Sequence, residues 1–220
     1  MCHYLDDKEF ESKMRQTCGE IMQGLCHILK KKYDIGANFY LVGSGDENLI
    51  TQNDNGPIDF DYNLEILSGK DIEDYRILKE TVRNAFNTVL FARFFAMCER
   101  SKSVLRYRTH CAPILSKYDY GIDICITRRD EHGKSHRLIY REVKYGNIVL
   151  SGDYIWNEAP DREKIDRKVK TIKSLNKWDL VRTQYVNLKN MYHKRNDQYH
   201  PSFICFYEAV NNVYNSLQPH

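Results

Sequence analysis

Two aspartates, Asp59 and Asp61, stand in the run Ile58-Asp59-Phe60-Asp61-Tyr62-Asn63-Leu64-Glu65-Ile66, where apolar and polar residues alternate strictly. A period of two marks a strand, and side chains at i and i+2 leave a strand on the same face. Both carboxylates therefore project together, while Ile58, Phe60 and Tyr62 face the other way. Like charges so placed raise each other's pKa unless a cation neutralises them. Magnesium, which takes a few carboxylate oxygens together with phosphates and water, suits such an edge. A third acid, Asp123, lies in Gly121-Ile122-Asp123-Ile124-Cys125-Ile126, a costly choice inside a strand unless its charge is paired or bound to metal. Asp119 takes its place if the strand register is shifted. Together Asp59, Asp61 and Asp123 would hold two ions about 3.5–4 Å apart, with Asp59 and Asp61 touching both and Asp123 only one.

A phosphate cradle is the second chemical component. Gly43-Ser44-Gly45 follows the apolar run Asn38-Phe39-Tyr40-Leu41-Val42, and a glycine turn lets backbone N–H groups approach phosphate oxygens while the serine hydroxyl adds a donor. Lys170 and Lys173, three apart on a helical pattern, would contact a triphosphate as point charges or else belong to a solvated face. Between Asp161 and Arg195 eleven Lys/Arg face four Asp/Glu, so this segment is +7 in a chain of net charge +3. Such a stretch suits polyphosphate or nucleic acid. Tyr154 and Trp156 read as core aromatics, with base stacking as the alternative. His110, His193 and His200 form no metal-ligand spacing.

The elements that must carry these residues follow from periodicity. Phe10, Met14, Cys18, Ile21, Leu25 and Ile28 repeat near 3.6 and predict a first helix, Lys8 to Leu29. Strands are expected at 38–42 and 58–66, with the glycine turn and a polar stretch between them. Ser68-x-x-Asp71 resembles a capping box for a helix running to about Met97. Further strands are expected at 104–107 and 120–127, with a hairpin around Gly133 leading into Leu138-Ile139-Tyr140. Beyond Pro160 the pattern turns helical: Ile165, Val169 and Ile172 share one helix, Leu180 to Tyr192 form a second with Tyr185, Leu188 and Tyr192 in its core, and Pro201 opens a third. The division expected is a core over 1–155 and a helical lobe over 156–220.

Strand, Gly-Ser, loop, apolar-Asp-apolar-Asp-apolar and a later acid on its own strand resemble the nucleotidyltransferase superfamily related to DNA polymerase beta. The residues that carry the resemblance are Leu41-Val42-Gly43-Ser44, Ile58-Asp59-Phe60-Asp61-Tyr62 and Ile122-Asp123-Ile124. They span about 38–127, and order and spacing look nearest to the oligoadenylate-synthetase and bacterial cyclic-dinucleotide-synthase branch, in a shorter chain. The resemblance implies an α+β fold, a mixed sheet flanked by helices with a helical C-terminal lobe. It also implies transfer of a nucleoside monophosphate from a nucleoside triphosphate, with two Mg2+ or Mn2+ ions, to a hydroxyl of RNA, a nucleotide, a protein or a small molecule. The other reading is a nucleotide- or RNA-binding module of the same fold with weak or no catalysis. One departure is the loop of fifteen positions from Ser44 to Asp59, which carries Asp46, Glu47 and Asp54 where a basic residue or threonine is expected. A phosphohydrolase is disfavoured because such sites add histidines, and none accompanies Asp59 or Asp61.

Composition excludes several classes. The 220 residues are 42% hydrophobic and 29% charged, enough to bury a core and unlike a disordered chain. No apolar run reaches the roughly 20 residues that cross a bilayer, and Met1-Cys2-His3-Tyr4 does not begin a signal peptide, so a cytoplasmic protein is expected. Seven cysteines without a Cys-x-x-Cys read as buried apolar residues rather than disulfides or a zinc site.

Overall fold

A computed structural model of the chain describes residues 1–54, 56–69, 74–94, 96–99, 104–108, 119–146, 148–159, 163–195 and 202–218. Asp71, His110, Cys111, His200 and Pro201 lie outside them. The order of elements is β1 (Cys2–Tyr4), α1 (Lys8–Tyr33), β2 (Gly36–Val42), β3 (Thr51–Asn53), β4 (Ile58–Ser68), α2 (Tyr75–Phe94), β5 (Leu105–Arg108), β6 (Tyr120–Arg129), β7 (Ser135–Tyr145), β8 (Ile148–Glu158), α3 (Glu163–Ser174), α4 (Trp178–Lys194) and α5 (Ser202–Ser216). The chain divides into two compact units. One combines Asp7–Val42 with Pro57–Ala159; the other gathers Met1–Asp6, Gly43–Gly56 and Pro160–His220.

The first unit is built on a six-stranded mixed sheet ordered β2-β4-β6-β7-β8, with β5 also paired to β6. β4 and β6 are parallel and the other pairs antiparallel. Ile58, Phe60, Tyr62 and Leu64 of β4 lie in register with Tyr120, Ile122, Ile124 and Ile126 of β6, which makes one continuous buried apolar face. Helix α1 begins at Asp7, whose carboxylate accepts the Phe10 N–H at 2.9 Å, the role expected of an aspartate at a helix start. It ends at Asp34 in the left-handed conformation after a basic last turn, Lys30 to Lys32, favourable for the helix dipole. Met14, Cys18, Ile21, Met22, Leu25 and Leu29 form its buried stripe. Cys18 lies near Tyr62 and Tyr120, so this helix covers the apolar face.

Helix α2 packs beside α1, and Gly24 permits the approach: a Cβ there would meet the Val89 side chain at 3.1 Å. It starts later than the Ser68-x-x-Asp71 pattern implies. Ser68 is the last residue of β4, and Asp74 accepts the N–H groups of Arg76 and Ile77 at 2.9 and 3.1 Å. The expected hairpin at Gly133 is present. Gly133 has φ +77°, and the Asp130 carboxylate accepts the N–H groups of His132 and Lys134, so the turn is held by its own first residue.

The second unit is predominantly helical. Ile165, Val169 and Ile172 of α3, Val181, Tyr185 and Leu188 of α4, and Phe206, Ala209, Val210 and Val213 of α5 bury one cluster, which also takes in Leu49. Its two-stranded ladder pairs Cys2 with Asn53 and Tyr4 with Thr51. Asn190 of α4 clamps the first strand by accepting the Cys2 N–H and donating to the Cys2 carbonyl. Cys2, Cys18, Cys98 and Cys205 are buried, and no described cysteine is in a disulfide. No helix among the described residues is long and apolar enough to cross a membrane.

Candidate active site

On the face of the sheet opposite α1, alternation places Asp59, Asp61, Asn63 and Glu65 in a row along β4. In the parallel ladder Asp61 is the direct partner of Asp123, and Asp59 lies opposite Gly121, which has no side chain to compete for the space. The structure thus places all three predicted carboxylates on one face of two adjacent strands. Neighbouring strands run about 4.8 Å apart, so three charges crowd a small area and need a compensating cation.

Part of that compensation comes from a residue not singled out in the sequence. β5 pairs with β6 on the side away from β4, and Arg106 is the direct partner of Asp123. Its Nε donates to Oδ1 at 3.0 Å and its Nη2 to Oδ2 at 2.9 Å, a two-pronged pair on both carboxylate oxygens. The Asp123 side chain is 14% exposed and that of Arg106 45%. These hydrogen bonds, reinforced by the charges of Asp123, Asp59 and Glu99, hold the guanidinium firmly protonated. A line of charge, Asp61, Asp123, Arg106, therefore crosses three strands. Further along the same face Arg129 Nε donates to the buried Glu65 at 2.8 Å.

The donor set suits magnesium in part. Asp59 and Asp61 are neighbouring hard oxygen donors, but Asp123, the third expected ligand, is already held by Arg106. Among the described residues no three His, Cys, Asp or Glu side chains form a group able to hold a metal ion.

The glycine turn is described within the helical unit. Gly43 has φ +66°, a conformation that disfavours a side chain, so the glycine is required there. The Ser44 carbonyl accepts the Leu49 N–H at 2.8 Å, closing the turn, and Leu49 anchors it in the helical core. Arg182 donates to the Asn48 carbonyl while stacking 4.0 Å from the Tyr4 ring. Lys173 places its ammonium on the Glu47 carboxylate at 2.8 Å and over the Trp178 ring at 4.6 Å. The acids of this loop thus have a structural use: Glu47 ties it to α3. Lys170 is exposed on α3.

Tyr154 and Trp156 pack against α2 rather than presenting bare rings. Tyr75 meets Trp156 edge-on at 5.8 Å, the Arg128 guanidinium lies 4.5 Å over Trp156, and Lys79 Nζ lies 5.3 Å from the Tyr154 ring. Lys79 is only 2% exposed, and burial pulls its pKa down to about 8.

No protein-family model matches the chain, and no curated protein matches it in sequence. Solved structures do match in three dimensions. Vibrio cholerae DncV cyclic AMP-GMP synthase, in complex with the linear intermediate 5' pppA(3',5')pG, superposes with a TM-score of 0.61 at 12% identity, over 99% of this chain and 70% of that one. CdnC of E. coli MS115-1, with ATP, gives 0.60 at 12% identity over 94% of this chain. The cyclic dinucleotide synthase CdnE of Elizabethkingia meningoseptica, with GTP and Apcpp, gives 0.51 at 14% over 93%. The chain spans 61% of the CdnC chain and 70% of the CdnE chain. It therefore shares the fold of these bacterial proteins, and the resemblance drawn from the Gly-Ser turn and the acidic strands holds at the level of the fold.

Proposed function

We propose that the chain transfers a nucleoside monophosphate from a magnesium-bound nucleoside triphosphate to a hydroxyl acceptor, releasing pyrophosphate. The observation that carries this reading is the convergence of Asp59, Asp61 and Asp123 on one face of β4 and β6, in a fold shared with synthases solved with ATP, GTP and a linear dinucleotide.

In this reading Asp59 and Asp61 hold Mg2+ or Mn2+, which neutralises triphosphate charge and lowers the cost of generating an attacking oxygen. Gly43 N–H and the Ser44 hydroxyl hydrogen-bond phosphate oxygens, and Lys170 adds a positive charge from an exposed position. Lys173, which ties the loop to α3 through Glu47, is the second cation offered to the phosphates. No protein nucleophile is needed, since rate comes from positioning and charge stabilisation. The acceptor is a second nucleotide, an RNA end or a small molecule.

The test is incubation of the full chain with each labelled triphosphate and Mg2+ or Mn2+, alone and with RNA, following pyrophosphate release. Turnover that disappears in the Asp59→Ala, Asp61→Ala double variant, with the fold intact by circular dichroism, supports the assignment. Tight nucleotide binding without turnover in any combination would instead identify a binding module.

A further inference from the structure

The arginines on the acidic face of the sheet differ in what holds them. Arg106 is paired with Asp123, and Arg129 with Glu65. Arg137 of β7 has no such acid. Among the described residues it makes no ion pair, and its Nε is buried with no hydrogen-bond partner, while the residue as a whole is part-exposed. Its place follows from register. Arg137 is the direct partner of Thr127, four residues beyond Asp123 on β6, and of Asn157 on β8. It also lies near Cys125, which stands between Asp123 and Thr127 on that side of β6, so the guanidinium belongs to the face that carries the acids. A buried donor without an acceptor is costly, and a planar fork of N–H groups suits the paired oxygens of a phosphate.

Between the acids and Arg137 the face is uncharged. Asn63 and Cys125 are partners in the next row, and Tyr40, opposite Asn63 on β2, is 47% exposed. An amide and an exposed ring are groups that take an unstacked base, by hydrogen bonds and by stacking. Four residues of β6 and one strand step separate Asp123 from Arg137, roughly 14 Å between Cα atoms. A phosphate held by Arg137 therefore lies apart from the reacting one, with the row of Asn63 and Tyr40 between them.

We infer that Arg137 holds a backbone phosphate of the acceptor, which is the end of a single-stranded nucleic acid. Its terminal hydroxyl lies at Asp59 and Asp61, a base on the row of Tyr40 and Asn63, and an upstream phosphodiester on Arg137. This names the acceptor of the transfer proposed above and rests on that reading. Arg137 binds and takes no part in the chemistry.

The probes are single strands of about eight nucleotides, one RNA and one DNA, labelled at the 5' end and read by fluorescence anisotropy with the full chain in Mg2+. Arg137→Gln should bind at least roughly tenfold more weakly than the wild type. Its log K should also fall less steeply with log salt, by about 0.7 for one lost phosphate contact. With the wild type, neutral methylphosphonates replacing the phosphodiesters one at a time should cost a similar factor at one linkage near the 3' end. That linkage should cease to matter in Arg137→Gln. Equal binding by wild type and variant, a methylphosphonate series without such a linkage, or no binding of either strand would overturn the inference and leave the transfer reading standing. Strand binding that depends on Arg137, with no pyrophosphate release with or without the strand, would instead remove the transfer reading and the acceptor's role with it. Should Arg137→Gln not fold, the methylphosphonate series on the wild type decides.

Discussion

Lys173 of α3 donates a 2.8 Å hydrogen bond to Glu47, a residue 126 positions earlier in the chain whose carboxylate is nine-tenths buried. An exposed ion pair adds little to stability, but removing the lysine from a buried acid leaves that charge without its lysine in a poor solvent. Lys173→Met should therefore lower unfolding stability by about 1–3 kcal/mol in urea titrations. Adding Glu47→Gln should recover part of that loss, and additive effects of the two changes would show that the contact contributes nothing.

The acidic face should behave in the opposite sense. Asp61 sits between Val42 and Asp123 in the sheet, with Asp59 two residues away on the same side. Asp61→Asn removes one charge from this crowd without changing shape, so stability at low salt should stay equal or rise by about 0.5–1 kcal/mol. Nucleotide turnover should be lost. A clear loss of stability in this variant would mark Asp61 as a structural acid.

Burial of Lys79 makes a prediction about pH. Its amine titrates at 10.5 when free and at about 8 in the folded chain, because burial disfavours its charged form. Below pH 8 the amine is protonated in both states, and the folded state bears the whole cost of burying the charge. Between pH 8 and 10.5 the folded chain releases the proton first, the unfolded chain binds more protons, and stability contributed by this group rises. The rise is at most about 3 kcal/mol. Lys79→Met should be more stable than the wild type at pH 7, and its advantage should shrink as pH climbs to 10. A difference that stays flat across that range, by urea denaturation at each pH, would contradict the assignment.

Gly152 lies against Tyr140 on the neighbouring strand. A Cβ at this position would overlap the phenol, which is also packed edge-on against Tyr154 at 5.2 Å. Gly152→Ala should cost about 1–3 kcal/mol by forcing the ring from its rotamer. Paired with Tyr140→Ala, the glycine change should become nearly neutral. A glycine change costing the same in both backgrounds would place the strain elsewhere.

Much of this architecture was legible because it is local. The alternation from Ile58 to Ile66 defined β4, and the 3.6-residue repeats from Phe10 to Ile28 and from Ile165 to Ile172 defined helices. What could not be read was pairing. Nothing in Leu105-Arg106-Tyr107 says which residue of another strand Arg106 will face, since register is set across the sheet and not along the chain. β8 escaped for a different reason: Ser151-Gly152-Asp153 breaks its apolar pattern and reads as a loop, although its ladder with β7 runs from Tyr145↔Ile148 to His136↔Glu158. β1 and β3, three residues each, are too short to show any period. The three candidate carboxylates were found because acids in strands are conspicuous. Their arginine was missed because an arginine on an exposed strand face is ordinary.

The helical unit draws on three separated stretches, Met1–Asp6, Gly43–Gly56 and Pro160–His220, with Leu49 set among residues of α3, α4 and α5. During synthesis the first two stretches leave the ribosome long before the helices that bury them exist. Leu49 and the Tyr4 ring must then wait in water until the last quarter of the chain is made. Translation imposes an order: the large sheet has all its strands once Glu158 emerges, whereas the glycine turn is fastened only afterwards. Nascent chains halted before Pro160 should therefore be cut by protease within 43–56, and released full-length chains should be protected there.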